Sequence, residues 1–202
     1  MSAEPTLSSI CYKRNFLSEV IVRVDLVSPL PELMNELPKS ISKTALEIFP
    51  IDEPKPAFVQ ELLFSQKELS TRKQEFTEWN FHGRNREKRL TIIPEAFFIV
   101  HKKYERYENL RNEFTTILES FLNHFEQAQP SRLGLRYINQ LDLQGPSPLD
   151  WQNYISNDLL GLFSYDIEGG SPSRIFHNIE VVLDDFNLRF QFGIHNPDYP
   201  AS

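Results

Sequence analysis

The chain has 202 residues, 40% of them hydrophobic and 24% charged, with a net charge of −7. That length suits one domain or two small ones packed together, and the mix excludes wholesale disorder. An acidic chain is a poor bulk binder of polyanions, because nucleic-acid affinity rests on Lys and Arg neutralising phosphates.

Sixteen Phe supply an aromatic core, while seven Gly leave little material for phosphate-cradling loops. Cys11 is the single cysteine, which excludes an intrachain disulfide and a cysteine-cluster zinc site and fits a reducing compartment. The opening residues, MSAEPTLSSI, lack the basic and apolar regions of a signal peptide. No stretch approaches ~18 uninterrupted apolar residues, so the chain reads as cytoplasmic with no transmembrane helix.

After a polar leader over 1–11, residues 17–27 alternate, with Val20, Val22, Val24 and Leu26 on one face of a predicted strand. Pro29, Pro31 and Pro38 end it. A short turn at 32–36 and a helix over 39–48 follow, and the proline-rich 50–56 reads as a loop within one sheet. Strands are predicted over 58–64, 76–82 and 89–93, the last two joined by a hairpin turn at 83–86. Pro94 interrupts, and 96–100 continues as an offset strand. Residues 104–127 carry one broad apolar stripe of Tyr104, Tyr107, Leu110, Phe114, Ile117, Leu118, Phe121, Leu122 and Phe125, the pattern of a long amphipathic helix. Residues 132–143 form a strand with Leu133, Leu135, Tyr137, Asn139, Leu141 and Leu143 in one phase. A helix over 149–163 and a hairpin of 175–183 with 188–194 complete the chain.

The predicted fold is α+β: a mainly antiparallel sheet packed on the long helix. The element order suggests two pseudo-repeated halves, 12–130 and 131–202, in one compact unit, the second lacking its last strand and helix. An ordinary asymmetric sheet is the alternative. On the first reading the 188–194 strand is left as an edge that recruits a protein partner or a second copy.

Three segments carry a resemblance: Tyr12 with Phe16-Leu17, Glu19-Val20-Ile21 and Arg23; Gly134-Leu135-Arg136-Tyr137-Ile138-Asn139; and Leu188-Arg189-Phe190 with Gly193. Together they resemble a sporadically distributed family of uncharacterised bacterial and archaeal proteins. The resemblance implies further elements beyond Ser202, a strand and a C-terminal helix. It implies no activity and no catalytic residues; the patchy distribution points to a bacterial defence or toxin–antitoxin setting.

The chemistry-bearing residues are sparse in pattern. His82, His101, His124, His177 and His195 form no metal-ligating spacing, and no metal or cofactor is expected. No nucleophile elbow, P-loop or dinucleotide fingerprint is present. Glu61 and Glu180 read as outer-face carboxylates. Arg84, Arg86, Lys88 and Arg89 form the one concentrated basic run, read as a solvated hairpin tip or, alternatively, a nucleic-acid contact. Arg23, Arg136 and Arg189 each lie opposite the apolar face of a strand, where guanidinium forks would hold a small anion or a peptide partner. The plainer reading pairs such arginines with Asp25, Asp142 and Glu180. Asn139 falls in an apolar phase and reads as a buried amide needing partners. The expectation is a non-enzymatic binding module acting on a protein partner through a sheet face, an edge strand or a groove. An anion-binding enzyme or sensor and a nucleic-acid binder are the alternatives.

Overall fold

The computed structural model describes residues 16–64, 69–141, 154–161, 168 and 174–194. The architecture is α+β, and the chain divides into two compact units, Met1–Leu141 and Asp142–Ser202. The strand over 130–139 hydrogen-bonds into the first unit's sheet.

The first unit opens on β1 (Leu17–Leu26), where alternation buries Val20, Val22, Val24 and Leu26. A 3-10 turn at Pro31–Met34 follows, and Pro38 caps α1 (Lys39–Ile48), which buries Ile41 and Ala45. The proline-rich connection contributes β2 (Ile51–Asp52). Then come β3 (Lys55–Phe64), β4 (Leu69–His82), β5 (Lys88–Ile93), β6 (Ala96–His101), α2 (Tyr107–His124) and β7 (Pro130–Asn139). All pairings are antiparallel, in the order β2-β4-β5-β6-β1-β7, with β3 continuing β2's register along β4.

β4 is longer than its sequence predicts. Residues 69–75 are mostly polar, and their strand structure comes from pairing with β3 rather than from local pattern. β5 meets only Trp79–His82 of β4, so the rest of β3 and β4 extends past it as a two-stranded arm. At the β4–β5 turn the Arg86 N–H donates to Gly83 C=O at 2.9 Å, and Arg86 adopts φ 57°, the left-handed position such loops demand.

Both helices cover one face of this sheet. Phe114 and Phe121 of α2 stand on Phe97 of β6, with ring centroids 5.9 and 5.3 Å apart. α1 lies beside α2 on the β5 side: Ser120 donates to Thr44 at 3.1 Å, and the Lys88 ammonium sits 5.0 Å from the Phe49 ring just past α1. Trp79 donates its indole N–H to the Leu33 carbonyl at 2.8 Å, tying the 3-10 turn to β4. The buried core runs through Leu33, Ile41, Phe49, Phe81, Leu90, Ile92, Phe97, Ile99, Leu110, Ile117 and Phe121. No helix among the described residues is long and apolar enough to cross a membrane.

In the second unit the predicted 149–163 helix is absent from the described residues 154–161, which hold only a 3-10 turn at Asn157–Leu159. Ser156, Asn157, Asp158 and Gly161 favour turns over helix interiors. The rest of that range lies outside the described residues, as do Cys11, Asp142, Leu143 and His195. β8 (Ile175–Val182) and β9 (Asn187–Ile194) form a hairpin with one apolar face, where His177 stacks on Phe192, Ile179 faces Phe190 and Val181 faces Leu188. The other face carries Asn178 opposite Gln191 and Glu180 opposite Arg189, with exposed Phe176 and Val182 at its two ends.

Gly193 is required by this hairpin. A Cβ there would collide with the backbone carbonyl oxygen of Ile175, which cannot swing away as a side chain would. Gly193→Ala is expected to cost about 1–3 kcal/mol of local overpacking. Amide exchange across β8 and β9 should accelerate by roughly tenfold or more; unchanged exchange would show that the strands are not this close.

Candidate functional site

The feature that stands out is the margin of the large sheet. β7 pairs with β1 in a register that sets Tyr137 opposite Val20, Leu135 opposite Val22 and Leu133 opposite Val24. All six side chains therefore point to the helix-covered face. The valines are 0%, 7% and 3% exposed, whereas Tyr137, Leu135 and Leu133 are 44%, 46% and 66% exposed. The helical layer stops short of β7. The nearest ring from that side is Tyr104, which meets Tyr137 edge-on at 5.9 Å, before α2 begins. Burial, first, and a hydrogen bond with Tyr137 raise the Tyr104 pKa above the ordinary phenol value.

The opposite face of β1 and β7 carries two of the three sequence-predicted arginines, Arg23 and Arg136. Asp25 accepts from Arg23 Nε at 2.6 Å through one oxygen and from Arg132 Nε at 2.6 Å through the other. Burial pushes the Asp25 carboxyl up, but the two guanidinium groups more than reverse this and hold it below its ordinary value. Arg23 also lies 5.6 Å over the Phe98 ring. Arg136 is on the same face, opposite Ile21 and exposed, and no carboxylate among the described residues pairs with it. Arg189 belongs to the second unit and pairs with Glu180 at 2.7 Å. Two of the three predicted carboxylate pairings are thus present, and Asp142 lies outside the described residues.

Asn139 is exposed, not a buried amide. A bulge in β1 between Leu17 and Glu19 places Asn139 opposite Leu17 at the sheet's end, on a strand whose apolar face is only partly covered. Its amide therefore keeps access to solvent.

The basic run divides. Arg86 Nη1 bonds Glu53 Oε2 at 2.7 Å, and Arg84 and Arg89 are exposed. Glu53 is held below its ordinary pKa chiefly by the hydrogen bond from Arg86. His82, buried beneath the turn with Nε2 3.4 Å from Glu53 Oε2, has its pKa lowered by burial and then by Arg86. Lys88 is no hairpin-tip cation. It donates to Glu113 Oε1 at 2.6 Å, and the other oxygen of Glu113 meets His101 Nε2 at 2.8 Å. Sequence reasoning missed this cluster, although the signal was present. Lys88 shares its phase with Leu90 and Ile92, His101 with Phe97 and Ile99, and Glu113 borders the α2 stripe. The three groups pin α2 to the end of β5 and β6.

In the second unit a shallow concavity of about 290 Å³ is lined by Asp158, Leu159, Gly161, His177, Ile179 and Phe192. Among the described residues no three His, Cys, Asp or Glu side chains are grouped to hold a metal ion. No protein-family model, no curated protein and no solved structure matches the chain.

Proposed function

We propose that this chain is a non-enzymatic binding module whose protein partner covers the apolar margin of the sheet at β7. One observation carries the reading: the row Leu133, Leu135 and Tyr137 shares a face with the buried valines of β1 yet stays about half exposed. Finishing the burial of each side chain contributes roughly 1 kcal/mol, so the row is worth on the order of two decades of affinity. Contiguous apolar surface of this kind marks interaction sites.

A second surface supports the same class of function. On β8–β9, Ile179, Val181, Leu188 and Phe190 share one face and are 41–51% exposed. This face, with β9 paired to β8 alone among the described residues, is the route we assign to self-association. The finer reading of two pseudo-repeated halves stays a proposal resting on the sequence pattern, without the helix its second half requires at 154–161; the resemblance carried by Gly134–Asn139 belongs to the proposal too. Two alternatives weigh less. Arg23 and Arg132 are held by Asp25, which disfavours an anion-binding face, while Arg86 and Lys88 are held by Glu53 and Glu113, which disfavours a phosphate contact.

A photo-crosslinking amino acid placed at Leu133 or Leu135 in the native host tests this reading, the Leu133 probe being the one combined with a substitution at Leu135. It should yield one discrete adduct, absent when the same probe replaces exposed Glu47 on α1 and abolished by Leu135→Asp. No adduct at β7, or the same adducts at Glu47, would sink it.

A further inference from the structure

The β7 margin has an edge as well as a face, and the two fit one kind of occupant. Leu26 N–H donates across to Glu95, on the β6 side, and Gln140 N–H donates to Phe16 C=O, on the β1 side of β7. Antiparallel pairing alternates the direction of backbone groups. Counting by two from each bond, the N–H and C=O of Arg132, Gly134, Arg136 and Ile138 face β1. Those of Leu133, Leu135 and Tyr137 face outward, and among the described residues no strand takes them. The same three residues thus present apolar side chains to one face and free backbone groups to the edge.

On the reverse face, the residues that alternate with them are Arg132, Gly134 and Arg136. Arg132 is neutralised by Asp25, and Arg136 has no carboxylate partner among the described residues. Beside it, the position a Cβ would occupy on Gly134 has nothing within 4 Å, which leaves room for a side chain reaching from a neighbouring strand.

The geometry points to strand addition: β7 takes an extended segment of a partner in which apolar residues alternate with acidic ones, and Arg136 fixes its register. This rests on the reading of β7 as an interface and adds how the partner is recognised. Apolar side chains of the segment lie beside Leu133, Leu135 and Tyr137, its backbone completes the open edge, and its carboxylates meet Arg136 across Gly134. Five residues, about 14 Å of strand, suffice. A second copy of β7 fits less well. Its strand, Pro130–Asn139, holds no Asp or Glu and so offers no carboxylate to Arg136. The chain's overall charge of −7 does not forbid an acidic partner, because charges beyond about 8 Å are largely screened at physiological salt.

The test uses labelled synthetic peptides and the full chain, with binding read by fluorescence anisotropy. One peptide alternates Val with Glu over seven residues, one alternates Val with Lys, one has the Val/Glu composition in blocks, and one is the alternating Val/Glu peptide N-methylated at every second residue. The alternating Val/Glu peptide should bind at least tenfold more tightly than the other three. Arg136→Glu should reverse the preference to the Val/Lys peptide, and Arg136→Gln should abolish the preference without reversing it. Both substitutions are at an exposed side chain, and a retained amide spectrum confirms the fold. No binding of the alternating Val/Glu peptide overturns strand addition, as does equal binding of the N-methylated or blocked peptide. If the crosslinks at Leu133 and Leu135 persist in either case, the interface reading stands and only the recognition mode fails. If the crosslinks are absent as well, both fall.

Discussion

Replacing Glu113 with Ala is expected to remove about 2–3 kcal/mol of unfolding free energy, read from the shift of a urea midpoint at neutral pH. The carboxylate holds two groups that cannot easily find water. Lys88 and Glu113 side chains are 20% and 19% exposed, and the His101 side chain is 7% exposed. Truncation strands a cation and a ring nitrogen, which is costlier than losing the attraction itself. Partial solvent contact of the pair keeps the effect toward the lower end of what breaking a buried ion pair costs. Glu113→Gln keeps the shape and one acceptor, so it should cost about half as much.

The pH dependence follows from the same contacts. Burial raises the Glu113 pKa, but the hydrogen bonds from His101 and Lys88, with the charge of Lys88, more than reverse this, leaving the folded value below the ordinary 4.5. A lowered folded pKa means that the unfolded chain takes up the proton first. The stabilisation is present above the unfolded value and is lost as pH falls through the folded one. The stability gap between the natural chain and Glu113→Gln should therefore be widest above pH 4.5 and close as the solution becomes more acidic. A gap that does not change on acidification would show that the carboxylate is not ionised in this network.

Much of the first unit was legible because its local patterns agree with its packing. Val20, Val22, Val24 and Leu26 alternate in the sequence and are buried in the sheet, and Leu110, Phe114, Ile117 and Phe121 form the α2 stripe that covers them. What was not legible depended on contacts distant in sequence. The polar start of β4 is a strand because β3 lies beside it. Lys88 reads as one of a run of cations until its phase is counted with Leu90 and Ile92, and its partner is 25 residues away. For β7, alternation correctly placed Leu133, Leu135 and Tyr137 on one face. It could not say whether that face is covered, because cover depends on how far two helices reach across six paired strands. Asn139 was misread for this reason: a polar residue in an apolar phase needs a partner only where the phase is buried.

That dependence on cover gives the second large effect. Phe121 is 0% exposed, with ring centroids 5.3 Å from Phe97 and 5.1 Å from Phe125. Phe121→Ala should cost roughly 3–5 kcal/mol, since it removes a large ring and leaves a cavity between two others that relax only in part. Leu135 points to the same side of the same sheet, yet Leu135→Ala should cost under about 1 kcal/mol in the isolated chain, because nearly half of that side chain already meets water. The contrast between the two substitutions measures where the helical layer ends. If Leu135→Ala proved as costly as a core truncation, β7 would be covered in solution and no partner would be needed there. If it is nearly neutral for folding while Leu135→Asp removes the crosslinked partner, the same side chain is dispensable to the fold and necessary to the interface, which separates a binding surface from an unfinished core.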